Sequence, residues 1–136
     1  MHTTASAHGP LVTPFIQSGL RIFDLKAGRT LCSAGLAVVP DLHVADDFAL
    51  RSAGNAHVTD TTAEKIFEVG VHGRKSVLAQ DARFAALTSD GLKDIVWYPD
   101  GHLFAVRYDI GSLVVVPNAL SQSIKGTLRE FEAHDG

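Results

Sequence analysis

The chain has 136 residues, 46% of them apolar and 20% charged, with a net charge of −3 and a single cysteine. That length suits one domain large enough to bury a core without a disulfide or a metal. Twelve basic residues against fifteen acidic ones lack the cationic footprint that phosphate binding needs, so no nucleic-acid partner is expected. No apolar run approaches the roughly 20 residues of a membrane-spanning helix, so no membrane partner is expected either. The start of the chain has neither the basic nor the apolar region of a secretory leader, so a location in the cytoplasm or in a particle assembled there is expected. A mean hydropathy of +0.12 suggests that some apolar surface is covered by a partner.

Residues 1–10 (MHTTASAHGP) are small and polar and read as an N-terminal arm, with a single globular domain over 11–136. Such an arm buries too little apolar area to fold alone, so a contact that orders it is expected to come from another chain. Leu11–Ile16 reads as an edge strand, because Pro14 has no N–H to donate to a ladder. Leu20–Leu25 follows as a strand, with Ala27-Gly28 as its turn. Leu31–Val39, apolar throughout, reads as a strand buried on both faces. Asp41–Leu50 extends with an interruption at Asp46-Asp47, and the Gly, Asn, Ser and Thr content of Arg51–Asp60 reads as a loop. Thr61-x-x-Glu64 matches a helix capping box, but the alternation of Phe67, Val69 and Val71 favours a strand over 66–71.

Val77–Leu87 contains good helix formers and predicts a helix near residues 77–88. Ile95–Tyr98, Pro99-Asp100-Gly101 and His102–Tyr108 read as a β-hairpin, since that tripeptide supplies a fixed φ, a side-chain acceptor and a residue free to take positive φ. Asp109-Ile110-Gly111 then turns the chain into Leu113–Val116, making a meander. Leu120, Ile124, Leu128 and Phe131 recur at helical spacing behind a possible Asn118 cap, which predicts a C-terminal helix to about His134. No internal repeat is evident. The expected fold class is α+β, an antiparallel meander or small barrel with the C-terminal helix packed on it.

The chemical signals are sparse. Val69–Ser76 (VGVHGRKS) has the glycines, Lys75 and Ser76 of a phosphate loop, but Arg74 stands where a Walker A loop requires glycine. Asp41, His43, Asp46 and Asp47 form the densest group of potential metal ligands, joined by His102 if the sheet so folds. Their spacing matches no known metal motif, and no metal or other cofactor is expected. His43, Asp46, Asp47 and His102 are the candidates for acid–base catalysis, with Asp100, Arg107 and Asp109 flanking the hairpin. Cys32 has no cationic neighbour in sequence to lower its pKa and reads as a packed apolar residue. Trp97, Tyr98, Phe104 and Tyr108 could stack on bases, but without a basic surround they read as core and cross-strand pairs.

With no catalytic motif, the favoured function is a non-enzymatic interaction or assembly protein, such as a structural accessory subunit of a phage or virus particle. Its partner would be itself or another protein, held through the N-terminal arm and an apolar face. The alternative is a small enzyme or ligand-binding barrel using His and Asp side chains.

Overall fold

A computed structural model describes residues 11–15, 18–36, 43–51, 54–88, 90–117 and 129–132. They form eleven strands and one 3₁₀ turn, in chain order β1 (Leu11–Phe15), β2 (Gly19–Asp24), β3 (Arg29–Gly35), β4 (Ala45–Leu50), β5 (Ala56–Asp60), β6 (Lys65–Val69), β7 (Lys75–Gln80), the 3₁₀ turn Ala82–Phe84, β8 (Leu92–Trp97), β9 (Leu103–Arg107), β10 (Ser112–Val116) and β11 (Arg129–Glu132). The strands make three antiparallel sheets, ordered β1-β2-β3, β4-β5-β6-β7 and β8-β9-β10-β11. Each strand pairs with its neighbour in sequence.

This overturns the α+β expectation. The segment expected as a helix over 77–88 is strand β7 followed by the 3₁₀ turn. Pairing with β6 outweighs the helix propensity of its residues, and Leu78 and Ala79 pack into the core. The C-terminal helix is contradicted by β11, whose Arg129–Glu132 pair antiparallel with β10. Leu120, Ile124 and Leu128 lie outside the described residues, as do the arm and Asp41. The polar stretch read as a loop contains β5, every residue of which is buried. The strand expected to be buried on both faces is more exposed where it is described, since Arg29–Leu31, Ser33 and Gly35 all face solvent, and residues 37–39 of that expectation lie outside the described residues.

Other expectations hold. Pro14 sits in β1, at the edge of its sheet. Residues 61–64 form no helix, and β6 is a strand. The Pro99-Asp100-Gly101 turn joins β8 to β9, with Gly101 at φ 97° and Tyr98 N–H donating to His102 O.

The second and third sheets repeat one another. Strands β4, β5 and β6 begin at residues 45, 56 and 65, and β8, β9 and β10 at 92, 103 and 112, a constant offset of 47 with identical strand lengths. The bulge between Ala45 and Phe48 recurs between Leu92 and Ile95. Gly54 and Gly101 take positive φ at the same place in the two hairpins.

Two apolar clusters form the core. One joins Leu20, Ile22, Ala34 and Leu36 to Phe48, Ala56, Val58, Phe67 and Val69, between the first and second sheets. The other joins Ala49, Ile66, Leu78 and Ala79, through Phe84, to Leu92, Ile95, Leu103, Ala105, Val114 and Val116, between the second and third. The second sheet therefore buries both faces, as the alternation of side chains along each strand allows. Gly91 sits where these parts cross. Its N–H donates to Thr61 O and its carbonyl accepts from Tyr108 N–H. A Cβ there would stand 2.9 Å from Phe84 O, so only glycine permits this approach without a shift of backbone.

Candidate functional site

The residues singled out from sequence are distributed over two ends of the sheets. His43 and Asp90 immediately precede the equivalent positions Val44 and Gly91 at the entry to β4 and β8, whereas His102 follows β8 in the hairpin at the opposite end. His43 and His102 therefore share no site.

His43 is buried, and its Nδ1 bonds Asp60 Oδ2. Asp60 Oδ1 accepts from Val44 N–H at 3.1 Å, Thr62 N–H at 3.0 Å, Thr62 Oγ1 at 2.9 Å and Ala63 N–H at 3.1 Å. The pair ties the β5–β6 turn to the entry of β4. The imidazole also meets Phe67 edge-on, with centroids 5.6 Å apart. This is the environment of a structural clasp.

Asp46 and Asp47 occupy the β4 bulge. Asp47 Oδ2 accepts from Ile95 N–H at 3.0 Å, joining the second sheet to the third. Thr59 reinforces the joint by donating its hydroxyl to Lys93 O at 2.6 Å. Burial raises the Asp46 carboxyl above its ordinary pKa, partly offset by Lys93, whose Nζ is 3.6 Å away. His102 folds back on Asp100, which accepts from its N–H and from Nδ1 at 2.8 Å. The His102 N–H holds Asp100 below the ordinary carboxyl range. Arg107 donates to Ala85 O and to Asp109 Oδ2, each at 2.9 Å, and Asp109 Oδ2 also accepts from Leu87 N–H. These contacts anchor the β7–β8 connection to the β9–β10 turn. No group of three His, Cys, Asp or Glu side chains suited to a metal is present among the described residues.

Val69–Ser76 is a hairpin turn between β6 and β7, so no helix start is available there for a phosphate. Lys75 donates to Gly35 O at 3.1 Å instead. Cys32 packs under Gly73, and burial raises its thiol pKa, consistent with its reading as an inert packed residue.

The same turn borders a cleft of about 410 Å³ lined by Asn55, Glu68, Gly70, Val71, His72, Arg74 and Ser76. His57, Glu68 and Ser76 form one row across β5, β6 and β7. At the base of the cleft Glu68 is held from two sides, Oε1 by Asn55 Nδ2 and Oε2 by His57 Nε2, both at 3.0 Å. His57 is fully buried, stacked at a tilt on Trp97 with centroids 5.5 Å apart. Its Nδ1 has no partner among the described residues. Trp97 in turn lies 5.6 Å from the Arg51 guanidinium and packs, partly buried, against the core cluster, whereas Tyr98 and Tyr108, expected as core or cross-strand residues, are largely exposed. The arrangement presents a fixed carboxylate beside the cationic Arg74, which is polar recognition without a shaped nucleophile. Sequence reasoning missed His57 and Glu68 because they lie in a stretch without a motif. The row appears only once the register is known.

Burial of His57 lowers its pKa below the ordinary 6.5, with Glu68 opposing in part. The folded state thus binds fewer protons at this ring than the unfolded chain. Stability is full above the unfolded value and falls as the pH drops below it. Between about pH 7.5 and about pH 5.5 the wild type should lose melting temperature, and His57→Gln should lose less over the same interval, as read by circular dichroism.

No family model matches the sequence, and no curated protein matches it. Solved structures do. The chain superposes on a selenomethionine-substituted virginiamycin B lyase from Staphylococcus aureus with a TM-score of 0.67 at 15% identity, over 96% of this chain and 40% of that one. It superposes on a streptogramin B lyase with a TM-score of 0.66 at 15% identity, over 96% of this chain and 39% of that one. The chain thus spans about two fifths of the length of these lyases. The likeness shows the fold: the three sheets are blades in a β-propeller-like arrangement.

Proposed function

We propose that this chain acts as an interaction or assembly module built from propeller blades. The observation that carries this reading is the apolar surface that the third sheet leaves open, with Val96 56% exposed on it. Monomers seldom leave a contiguous apolar sheet face uncovered. The acid–base candidates support the same reading, since His43, Asp47 and His102 are each engaged in holding backbone or turns. The mass of the native particle, isolated from cells that make it, is the test. A defined complex heavier than the 14.5 kDa chain is expected. A lone chain in the native state would overturn the reading.

A second reading, ligand binding or lyase chemistry, draws on the cleft beside Glu68 and on the names of the similar structures. It predicts that the purified protein consumes virginiamycin B, measured by chromatography, and that Glu68→Gln abolishes the loss. The assembly reading predicts no consumption.

A further inference from the structure

The 47-residue offset between the second and third sheets shows what the row beneath the cleft costs the fold. Moved by that offset, His57 and Glu68 become Phe104 and Val115. The register is the same, with His57 opposite Glu68 and Phe104 opposite Val115. The sheet therefore accepts an apolar pair at this row, and Val115 is buried there. The polar pair is the costlier choice, because a buried polar group loses its hydration and must find partners inside the protein. His57 is only half satisfied: Nε2 donates to Glu68, and the buried Nδ1 has no partner among the described residues. Burial holds the ring below its ordinary pKa, so at neutral pH it brings no positive charge to the Glu68 carboxylate. Asn55, the other donor to Glu68, is neutral as well. These two donors fix the orientation of the carboxylate without cancelling its charge.

Arg74 supplies the opposite charge at the rim. Ser76 stands opposite Glu68 across β6 and β7, and the Gly70 N–H donates to Arg74 O, which carries the pairing on to the turn. Alternation puts Arg74 on the same face as Ser76. Such diagonal neighbours lie about 7–8 Å apart, within reach of an arginine side chain. Yet Glu68 turns both oxygens toward Asn55 and His57. The exposed Arg74 guanidinium has no hydrogen-bond or ion-pair partner among the described residues. The cleft of about 410 Å³ thus keeps a fixed negative group at its base and an unpaired positive group at its rim, with Gly70 adding no side chain to fill it.

We propose that the cleft binds a small amino-acid-type zwitterion, with its ammonium on Glu68 and its carboxylate on Arg74. The cleft falls in the size range of small-molecule sites. An ammonium supplies the charge that the neutral donors around Glu68 do not, through a charge-assisted hydrogen bond. A carboxylate meets the planar guanidinium with two parallel bonds. A simple amine leaves Arg74 unpaired, and a simple anion is repelled by Glu68, so a ligand carrying both charges fits where neither does alone. The inference rests on the ligand-binding half of the second reading, and on neither lyase chemistry nor assembly.

The common L-amino acids, in pools at millimolar concentration, are the probes, read by chemical-shift titration of the isotope-labelled chain. At least one is expected to bind. Its N-acetyl derivative and its carboxamide should each bind about tenfold more weakly or worse, the loss for one hydrogen bond to a charged group. Glu68→Gln and Arg74→Ala should each weaken the parent amino acid to a similar extent. On the Arg74→Ala chain the carboxamide and the parent should bind alike, since the group that told them apart is gone. Arg74 is exposed, so this variant should keep the wild-type melt, which separates lost binding from lost folding. Absence of binding by every amino acid overturns the inference. So does a derivative that binds the wild type as tightly as its parent, or an affinity that Arg74→Ala leaves unchanged. A chain that consumes virginiamycin B but binds no amino acid overturns this inference and leaves the lyase reading standing.

Discussion

Asp60→Ala should destabilise the protein by about 3–5 kcal/mol, because it removes the acceptor of several hydrogen bonds at once, each worth about 1 kcal/mol and more where the donor is left buried. The Asp60 side chain is fully buried. It accepts from the His43 ring, from the N–H groups of Val44, Thr62 and Ala63, and from the Thr62 hydroxyl. Truncation leaves the buried His43 ring without its acceptor, at a cost of about 1–3 kcal/mol, and takes the acceptor from the N–H groups of Val44, Thr62 and Ala63, which lie nearer the surface. Chemical denaturation of the variant beside the wild type measures the loss. Asp60→Asn, which keeps an acceptor, should lose less.

Phe84→Ala should cost a similar amount, about 3–5 kcal/mol, as for other buried phenylalanines truncated to alanine. Phe84 is fully buried. It comes from the connection between β7 and β8 and fills the space between the second and third sheets. Gly91 approaches the Phe84 carbonyl from the other side, so the connection cannot relax inward to close the cavity. The denaturation midpoint should fall with little change in slope, since the unfolded surface is nearly the same.

Strands β8, β9 and β10 of the third sheet could be read from sequence because their local signals agree. Pro99-Asp100-Gly101 dictates a tight turn, and the flanking aromatic and branched residues suit strands. Strand β5 could not be read, because His57, Thr59 and Asp60 look like solvent-facing polar residues. Each is buried with a partner supplied from elsewhere: Glu68, Lys93 and His43. Strand β7 was masked by the opposite conflict, in which helix-forming residues are recruited by the β6 ladder. At the C-terminus, helical spacing through Phe131 predicted a helix where Arg129–Glu132 complete a sheet.

The repeat itself was hidden in the sequence. Between residues 45–69 and 92–116 only Asp47 and Asp94, Gly54 and Gly101, and Val69 and Val116 are identical. What persists is physical type at core positions, with Phe48 and Ile95, Val58 and Ala105, and Phe67 and Val114 equivalent. The candidate site was less legible still. The Glu68 row needs three strands in register before Asn55, His57 and Ser76 come together.

Neighbour-to-neighbour pairing also bears on how the chain reaches this structure. Apart from β11, which follows β10 after twelve residues, every strand finds its partner across a short connection, so within each sheet the contact order is low and little loop entropy is lost before a pairing is rewarded. The links that span a longer stretch of chain are those that dock one sheet on another, Asp47 to Ile95 among them. Hairpin formation within a sheet is therefore inexpensive and local, and the committing step is the meeting of preformed sheets. The second sheet, sealed on both sides, gains from two such meetings and becomes the keystone on which the others depend.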